Sequence, residues 1–467
     1  MEAKIDEVDK VELVADNQEL KMSRKRMNKN LQHLDKMNES EDEIENDMKR
    51  TSIDSTNTFE LDSSVLFEPY RAIGYITSST PFYIHKNIEE RLMTVSVENA
   101  FHVYNLDKLS LIYIGNSVKQ TIMQVQAYQY NTYTLLSNNT IIKWRQMNIE
   151  KTFSMFSSPI IQFLVVADSL IVLCEERKLY IVDLNTDEVK NLITLNIDAY
   201  LFMHPLSYIN KLLIAGEDDT LQIYNIDANE LIYSFVNITK KLKGARILTI
   251  EQSPLVDIVG MGLESGELLI VNLKHDKVVA SFSQDSPAKS ISFSTDLSIG
   301  KSLLASCTTD GNILFWDLNE KKIHSVIQRA HNSKPIDKVE FFNGEPILLS
   351  SSGDDNSIKM WLFDLDFASN VAPRLLKERS GHSDTPHIIK FYGEDGKHIL
   401  SASENTPLRN NSLINEHISR NFSYQKVINK KSVNQYGEEI GKTLDFSFCE
   451  LRERDWPNIV TISGLSL

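Results

Sequence analysis

The stretches LASCTTDGNILFWDL (304–318) and LSSSGDDNSIKMWLF (349–363) decide the fold of this 467-residue chain. In each stretch a run of small and apolar residues leads through a short polar turn into a second apolar run. Short β-rich runs that are separated by Gly, Asp and Asn are typical of antiparallel hairpins. A tryptophan, Trp316 or Trp361, lies near the end of the second run. The two stretches therefore indicate one β unit that is repeated.

The pattern recurs eight times at a regular interval. The position of the tryptophan is taken in turn by Tyr104, Trp144, Val182, Tyr224, Val271, Trp316, Trp361 and Asn411. Neighbouring positions are 40, 38, 42, 47, 45, 45 and 50 residues apart. WD repeats recur at about 40–45 residues, and each forms one four-stranded blade. We therefore predict an all-β, WD40-type β-propeller of seven or eight blades, in which a seven-bladed ring uses either the first seven repeats or the last seven.

One repeat contains the whole polar set that stabilises a WD blade: His331, Ser351, Asp355 and Trp361. A buried indole N–H only donates and needs a fixed acceptor, and the Ser hydroxyl and the His ring can relay that bond to the Asp. Because these residues recur with the repeat, we predict a structural tetrad and not a catalytic site. In the preceding repeat, Ser306 and Asp310 lie at the same distances before Trp316 as Ser351 and Asp355 lie before Trp361, but no histidine matches His331. The next repeat has His382 and Ser401, with Asn405 and Asn411 replacing Asp and Trp.

Composition excludes several functional classes. The formal net charge is −15, so polyanions cannot bind across the whole surface. The three cysteines form no CxxC pair, no apolar run follows the initiator, and no stretch approaches 18 apolar residues. The glycine-rich run GMGLESG (260–266) has the wrong spacing for a dinucleotide site and falls at a strand-to-strand turn. We expect no cofactor, metal, membrane span, small-molecule substrate or enzymatic activity.

Residues 1–60 differ from the rest of the chain. They contain 10 Lys+Arg and 16 Asp+Glu, with no Gly, Pro or Trp. Such a segment buries too little apolar surface to offset ordering entropy, so we predict disorder there. Its basic run is a nuclear import signal or an RNA-contacting tail, or else a solvated face of a nascent helix; it contains Lys21, Arg24, Lys25, Arg26 and Lys29. We expect the propeller at 65–415, and a loop with the incomplete start of a second propeller at 416–467.

Three segments have features that propeller geometry does not require: LFEPYRAIGYITSSTPF (66–82), the block 380–423 that contains SLINEHISRNFS, and LDFSFCELRERDWPNIVT (444–461). Together they resemble the WD-repeat subunit of the UTP-B subcomplex of the small-subunit processome, the family called U3 small nucleolar RNA-associated protein twenty-one. The resemblance extends from about Val65 to the end of the sequence. Members of that family have tandem propellers followed by a helical domain, so the chain corresponds to the N-terminal half of the family pattern. That is expected of a fragment, an early-terminated copy or a degraded copy.

The resemblance implies a nucleolar scaffold that supports processing of pre-ribosomal RNA toward 18S rRNA. It implies other UTP-B subunits and processome proteins as partners, with pre-rRNA and U3 small nucleolar RNA present in the same complex. Two alternatives stay open: a WD adaptor of another assembly, such as a ubiquitin-ligase receptor or a coat subunit, and an enzyme with a site near the propeller channel. No residue constellation supports the enzyme.

Overall fold

The computed structural model describes residues 72–86, 88–295, 301–363, 371–393, 395–403, 406, 408–414, 419–421, 443–449 and 459–463. All of them lie in one compact unit, Pro69–Leu467. Within these residues nearly all regular structure is β, and the single helical element is the 3-10 turn Thr239–Lys241. The all-β propeller prediction is confirmed.

The strands form eight four-stranded antiparallel sheets and one two-stranded sheet, and each sheet uses strands that are consecutive in the chain. Sheet 1 contains β1 (Tyr83–Ile84), β2 (Leu92–Val97), β3 (Ala100–Asn105) and β4 (Ser110–Ile114). Sheet 2 contains β5 (Ile122–Tyr128), β6 (Asn131–Leu136), β7 (Ile141–Arg145) and β8 (Asn148–Phe153). Sheet 3 contains β9 (Ile160–Val166), β10 (Ser169–Cys174), β11 (Lys178–Asp183) and β12 (Val189–Thr194). Sheet 4 contains β13 (Ala199–Met203), β14 (Lys211–Gly216), β15 (Thr220–Asn225) and β16 (Glu230–Ser234).

Four further sheets and a strand pair follow along the chain. Sheet 5 contains β17 (Ile247–Gln252), β18 (Ile258–Leu263), β19 (Glu267–Asn272) and β20 (Lys277–Ser283). Sheet 6 contains β21 (Ile291–Phe293), β22 (Leu303–Cys307), β23 (Ile313–Asp317) and β24 (Lys322–Ile327). Sheet 7 contains β25 (Lys338–Phe341), β26 (Ile347–Ser352), β27 (Ser357–Leu362) and β28 (Arg374–Ser380). Sheet 8 contains β29 (Ile388–Tyr392), β30 (His398–Ala402), β31 (Arg409–Ser412) and β32 (Arg420–Asn421), and the pair contains β33 (Thr443–Phe448) and β34 (Ile459–Ser463).

All eight repeat positions named from the sequence lie on the third strand of their sheet, from Tyr104 on β3 to Asn411 on β31. Second and third strands are covered on both faces by neighbouring sheets, so they are almost continuously buried, as in β2 and β15. The fourth strand is outermost, and in β16 every residue is exposed. The apolar runs of the repeat are therefore the middle strands of each blade.

Sheet 7 packs directly against sheet 1 and closes a ring of seven blades. Six apolar clusters join successive sheets from sheet 1 to sheet 7. A seventh cluster brings Met93 and Val95 of sheet 1 together with Leu349, Ile358 and Met360 of sheet 7. Repeat folds gain their stability from such interfaces between neighbours. The first seven repeats therefore form the ring.

Sheet 8 has its apolar core elsewhere. Leu400, Ala402 and Leu408 form a cluster with Phe446 of β33, and Ile459 of β34 packs against it. Three of the four strands of sheet 8, β29 to β31, lie within the range 65–415 that we predicted as one propeller, yet the buried side chains of this sheet contact the β33–β34 pair. The seventh interface of the ring is already formed by sheet 1, so sheet 8 has no place between sheets 7 and 1.

Candidate interaction site at the ring closure

A buried polar network fixes the hairpin between β26 and β27. The indole N–H of Trp361 donates to Ser350 Oγ at 2.9 Å, and Ser350 Oγ lies 2.7 Å from His331 Nε2. On the other side of the imidazole, His331 Nδ1 lies 3.2 Å from Asp355 Oδ2 and 2.9 Å from Ser357 Oγ. Because Ser350 Oγ accepts the hydrogen bond from the indole N–H, its own hydroxyl donates a hydrogen bond to His331 Nε2. The proton of the imidazole is then on Nδ1, which donates to the Asp355 carboxylate. The chain of bonds runs without interruption from tryptophan to aspartate.

The serine of this network is Ser350, and the sequence-based choice of Ser351 was wrong. Both side chains are buried. The hydroxyl of Ser351, however, has no hydrogen-bond partner among the residues that the structure describes.

The length of the hairpin explains the error. In sheet 6, Ser306 pairs across the ladder with Leu314, which precedes the tryptophan by two residues. In sheet 7, the residue two places before the tryptophan is Lys359, and it pairs with Ser350. The hairpin of sheet 7 is one residue longer, so an offset of ten residues counted from the tryptophan selects the neighbouring serine. Successive side chains point to opposite faces of a sheet, so this shift also exchanges the face.

Sheet 6 forms the same kind of network with a glutamine in place of the histidine. Trp316 Nε1 donates to Ser306 Oγ at 2.9 Å, and Ser306 Oγ donates to Gln284 Oε1 at 2.7 Å. The Gln284 amide also donates to the carbonyl of Cys307 at 3.1 Å. Gln284 thus supplies the group for which the sequence showed no histidine, whereas Asp310 is exposed. A glutamine has no spacing signature of its own, so sequence reasoning missed it.

Sheet 8 has a third version. His382 Nε2 lies 2.8 Å from Ser401 Oγ, and Asn411 Nδ2 donates to the same hydroxyl at 3.3 Å. His382 Nδ1 contacts the hydroxyl of Thr406. Thr406 therefore takes the place of the aspartate; Asn405, which we proposed for it, lies outside the described residues.

The electrostatics of these networks favour a structural role. Burial lowers the pKa of His331 in spite of its bond to Asp355. Burial and the nearby Arg409 guanidinium lower the pKa of His382 to about 4. Burial alone would raise the pKa of Asp355, but hydrogen bonds from His331, Ser357 and Asn332 lower it to about 2. At neutral pH the rings are neutral and the carboxylate is ionised, which is the state that the hydrogen-bond directions require.

Asn356, next to the tetrad aspartate, holds the ring closure together. Its Oδ1 accepts the backbone N–H of Ile76 at 2.7 Å, and its Nδ2 donates to the carbonyls of Gly74 at 3.2 Å and His382 at 3.0 Å. A Cβ at Gly353 would lie 2.3 Å from the backbone nitrogen of Ser79, so only glycine permits this approach. The start of sheet 1, the hairpin of sheet 7 and the loop before sheet 8 therefore meet at one point.

The stretches that distinguish this chain from a generic WD repeat converge on the same region. Gly74 belongs to the segment 66–82, while His382 and Asn411 belong to the block 380–423. A Cβ on Gly74 would lie 3.2 Å from Asn411 Nδ2, so the two stretches are in close contact. The segment 444–461 reaches sheet 8 through Phe446. We define the closure site as Gly74–Ser79, Gly353–Asn356, Gly381–His382 and Asn411, and we take it as the candidate interaction site.

Beside the closure site, sheet 8 and the β33–β34 pair expose apolar side chains on their outer surfaces. These are Ile389, Phe391, Leu444, Val460 and Ile462, with exposed fractions of 50–66%. An ion pair connects the two sheets, in which Lys390 Nζ lies 3.1 Å from Asp445 Oδ1 and 4.7 Å from the Phe446 ring centroid. Large exposed apolar patches mark interaction sites in soluble proteins.

Charged residues also meet on the innermost strands of the ring. Lys338 Nζ lies 2.7 Å from Glu340 Oε2 and donates to the carbonyl of Phe82 at 2.8 Å. Desolvation and the Glu340 carboxylate raise the pKa of Glu251 to about 7, although Lys86 and Lys338 partly oppose this. The first, fifth and seventh sheets thus contribute charges to one neighbourhood.

The described residues contain no group of three or more His, Cys, Asp or Glu side chains that could hold a metal ion. Gly260 and Gly262 lie on β18, where an added Cβ would come within 2.8 Å of the Phe293 ring and 2.6 Å of the Ala288 carbonyl oxygen. These glycines therefore permit close packing of sheets 5 and 6. No helix among the described residues is long and apolar enough to cross a membrane.

The basic run at 21–29 lies outside the described residues, so the nuclear import signal predicted there stays a prediction.

Comparison with known proteins identifies relatives of the chain. Residues 93–364, more than half of its length, match the family described as the WDR36/Utp21 first β-propeller. The chain is 30% identical over 415 residues to the U3 small nucleolar RNA-associated protein 21 homolog of Schizosaccharomyces pombe, which covers 86% of this chain and 44% of that protein. It is 31% identical over 412 residues to human WD repeat-containing protein 36, covering 85% and 44% of the two chains. The chain thus spans a little under half the length of these relatives.

A solved structure supports the fold alone. The crystal structure of Chaetomium thermophilum Raptor superimposes with a TM-score of 0.53 at 12% identity, covering 62% of this chain and 28% of that chain. At this identity the likeness extends to the propeller and not to function.

Proposed function

Because this chain belongs to the family of the WDR36/Utp21 first β-propeller, we propose that it is a non-catalytic scaffold subunit of the small-subunit processome. In this proposal it acts in the UTP-B subcomplex, in the nucleolus, and supports processing of pre-ribosomal RNA toward 18S rRNA. The observation that carries the proposal is the family match over 93–364, together with relatives whose name contains U3 small nucleolar RNA.

The arrangement of polar groups supports a scaffold. His331 and His382, the histidines of the networks, are neutral at pH 7, and both ring nitrogens of each are engaged in holding hairpins, which supports a structural role. A propeller offers hairpin turns and outer strands as binding surfaces, and the three networks hold the hairpins of sheets 6, 7 and 8 in fixed positions. The partners in this proposal are other UTP-B subunits and processome proteins, with pre-rRNA and U3 small nucleolar RNA in the same complex.

We also propose a division of the chain that follows from its charge and packing. Residues 1–60 form a charged segment that contains the import signal, and sheets 1–7 form the ring within 65–415. Sheet 8 and the β33–β34 pair begin a second propeller, because they share a core with one another. In the ring, neighbouring blades cover such apolar faces, so the exposed faces of sheet 8 and the β33–β34 pair are suited to receive a neighbour.

Depletion tests the proposed function. The experiment uses cells in which this chain is the single family member expressed. The chain is depleted from these cells, and ribosomal RNA precursors are followed by RNA blot. We expect mature 18S rRNA to fall while large-subunit rRNA is maintained, and re-expression to restore it. Unchanged 18S rRNA after complete depletion would contradict the proposal.

A further inference from the structure

Sheets 4 and 5 are bordered by a concentration of exposed apolar side chains. The eight residues are Leu206, Ile209, Leu231, Ile232, Tyr233, Val236, Leu255 and Val256. Two of them, Leu206 and Ile209, are 77% and 82% exposed. Single exposed apolar residues are ordinary on protein surfaces, but a contiguous group of them marks a site of interaction.

A cavity of about 510 Å³ lies beside these side chains, and two of them, Ile232 and Tyr233, line it. We define the 4–5 groove by its lining, which includes Tyr208, Lys211, Ile232, Tyr233, Phe235 and Lys274. Tyr208 comes from the same loop as Leu206 and Ile209. Burial, together with the nearby carboxylate of Asp257, which follows Leu255 and Val256, raises the pKa of the Tyr208 hydroxyl to about 12. The loops that carry the most exposed apolar residues therefore lie at the same groove.

The wall of the groove is held in place by Asp276. Its carboxylate accepts the backbone N–H groups of Val236, Asn237 and Ile238 at 3.1, 3.0 and 3.0 Å and the Tyr233 hydroxyl at 3.2 Å. The Tyr233 and Phe235 rings stand edge to face, with centroids 5.2 Å apart. The groove is therefore formed before any partner binds, which lowers the entropy cost of binding.

Two lysines give the groove its charge preference. Lys211 Nζ lies 5.1 Å from the Tyr208 ring centroid, and Lys274 lines the same cavity. Within the described part of the chain, neither ammonium group forms an ion pair with a carboxylate. Asp276 keeps its negative charge although its carboxylate accepts four hydrogen bonds, but the two lysines outnumber it, so the lining has a net positive charge. A carboxylate-bearing partner is favoured.

The strand beside the groove is an open edge. β16 is the outermost strand of sheet 4, pairs only with β15, and is exposed at all five residues. An unpaired edge offers backbone N–H and C=O groups that an extended peptide can use as an additional strand. An apolar groove and a free edge together fit an extended chain better than a helix.

We propose that the 4–5 groove binds an extended segment of a partner protein that carries apolar side chains and at least one Asp or Glu. The segment lies along β16, places apolar side chains against Tyr233 and Phe235, and pairs its carboxylate with Lys211 or Lys274. This inference goes beyond the proposed function and holds for any assembly that contains the chain.

Selection from a random peptide library tests it. A phage library of random 12-residue peptides is panned on the full chain, and enriched peptides are synthesised and titrated by fluorescence anisotropy. We expect the enriched peptides to combine apolar residues with Asp or Glu, and Ile232→Glu and Lys211→Glu each to weaken binding at least 10-fold. Ile323→Glu is the matched control, since Ile323 is equally exposed on the outermost strand of sheet 6, away from the groove. It should leave the dissociation constant within twofold.

The other results would overturn the proposal. These are no enriched peptide, enrichment of basic peptides, or binding that Ile232→Glu and Lys211→Glu leave unchanged. Dimerisation of the chain that Ile232→Glu abolishes, with no peptide binding, would assign the groove to a second copy instead. Circular dichroism of each variant confirms that the propeller is folded, so loss of binding reports on the groove.

Discussion

The indole N–H of Trp361 donates a hydrogen bond to Ser350 Oγ at 2.9 Å. Ser351 is the residue ten positions before Trp361, which is the spacing between the serine and the tryptophan of the preceding repeat. The bond places the centre of the sheet 7 network one residue earlier in the chain than the repeat spacing predicts. Ser350 then connects Trp361 to His331 and, through that ring, to Asp355. The two neighbouring serines should therefore differ sharply in their contribution to stability.

Replacing Ser350 by Ala should lower the free energy of unfolding by about 1–3 kcal/mol, because the indole N–H and the imidazole lose their shared partner in a buried site. Replacing Ser351 by Ala should have little effect or increase stability, because its hydroxyl is buried without a partner among the described residues. Urea titration of both variants measures the difference. Equal losses in the two variants would refute the assignment of Ser350.

Replacing Trp361 by Ala should lower the free energy of unfolding by about 3–5 kcal/mol, as expected when a large buried side chain is removed. The side chain is only 7% exposed and packs in the cluster that joins sheets 6 and 7. Chemical denaturation followed by far-UV circular dichroism measures the effect. A variant as stable as the wild type would show that the network is dispensable.

Replacing His331 by Gln should make stability less dependent on pH. Burial lowers the pKa of His331 in the folded chain, so the unfolded chain takes up a proton near pH 6.5 while the folded chain does not. The contribution of the neutral ring is therefore present above pH 6.5 and is lost as the pH falls through lower values. Gln284 already performs this role in sheet 6, so glutamine should preserve the network.

The measurement for this variant is the free energy of unfolding at pH 7.5 and pH 5.0. We expect the loss between the two values to be smaller in His331→Gln than in the wild type. His275→Gln, at an exposed position, is the control for the chemical change from imidazole to amide. Identical losses in the wild type and His331→Gln would mean that the ring does not titrate differently on unfolding.

Replacing Asn356 by Ala should open the ring at its closure. The substitution removes the acceptor for Ile76 and the donor to Gly74 and His382, and it places Ala at a backbone φ of 46°. We expect limited proteolysis to cut between Gly74 and Phe82 faster than in the wild type. Asn356→Asp keeps the acceptor and loses the donor, so its cleavage rate should be intermediate. A rate unchanged in both variants would place the closure elsewhere.

Residues 1–60 fused to a reporter should concentrate the reporter in the nucleus, because the basic run fits a nuclear import signal. The matched control replaces the five cations by Ala: Lys21, Arg24, Lys25, Arg26 and Lys29. Fluorescence microscopy should show the control distributed throughout the cell. A uniform distribution of the unmodified fusion would remove the import signal, while leaving entry together with partners open.

The repeat positions were predictable from the sequence because they are set by strands that neighbouring sheets cover on both faces. Burial of this kind selects apolar residues at a fixed place in every blade, so even weak copies such as Val182 and Val271 were located on the third strand. The choice of seven blades was not predictable, because it depends on which pair of distant sheets makes the seventh interface. Met93 and Leu349 meet there across more than 250 residues of chain.

The polar networks were only partly predictable. His331, Asp355 and Trp361 are brought together, but a one-residue difference in hairpin length moved the serine position. Gln284 and Thr406 provide hydrogen-bond groups without matching the expected residue types, so only their positions in space reveal them. Spacing identifies a network where the loops keep a constant length, and it fails where they do not.

Co-purification tests the central claim, that the chain is a scaffold of the small-subunit processome, most directly. The full chain is tagged and purified from cells that express it, and U3 small nucleolar RNA is quantified by reverse transcription and PCR against U6 small nuclear RNA. We predict strong enrichment of U3 over U6, together with proteins of the small-subunit precursor. Recovery of a ubiquitin ligase or a vesicle coat, with U3 at the level of an untagged control, would contradict the account.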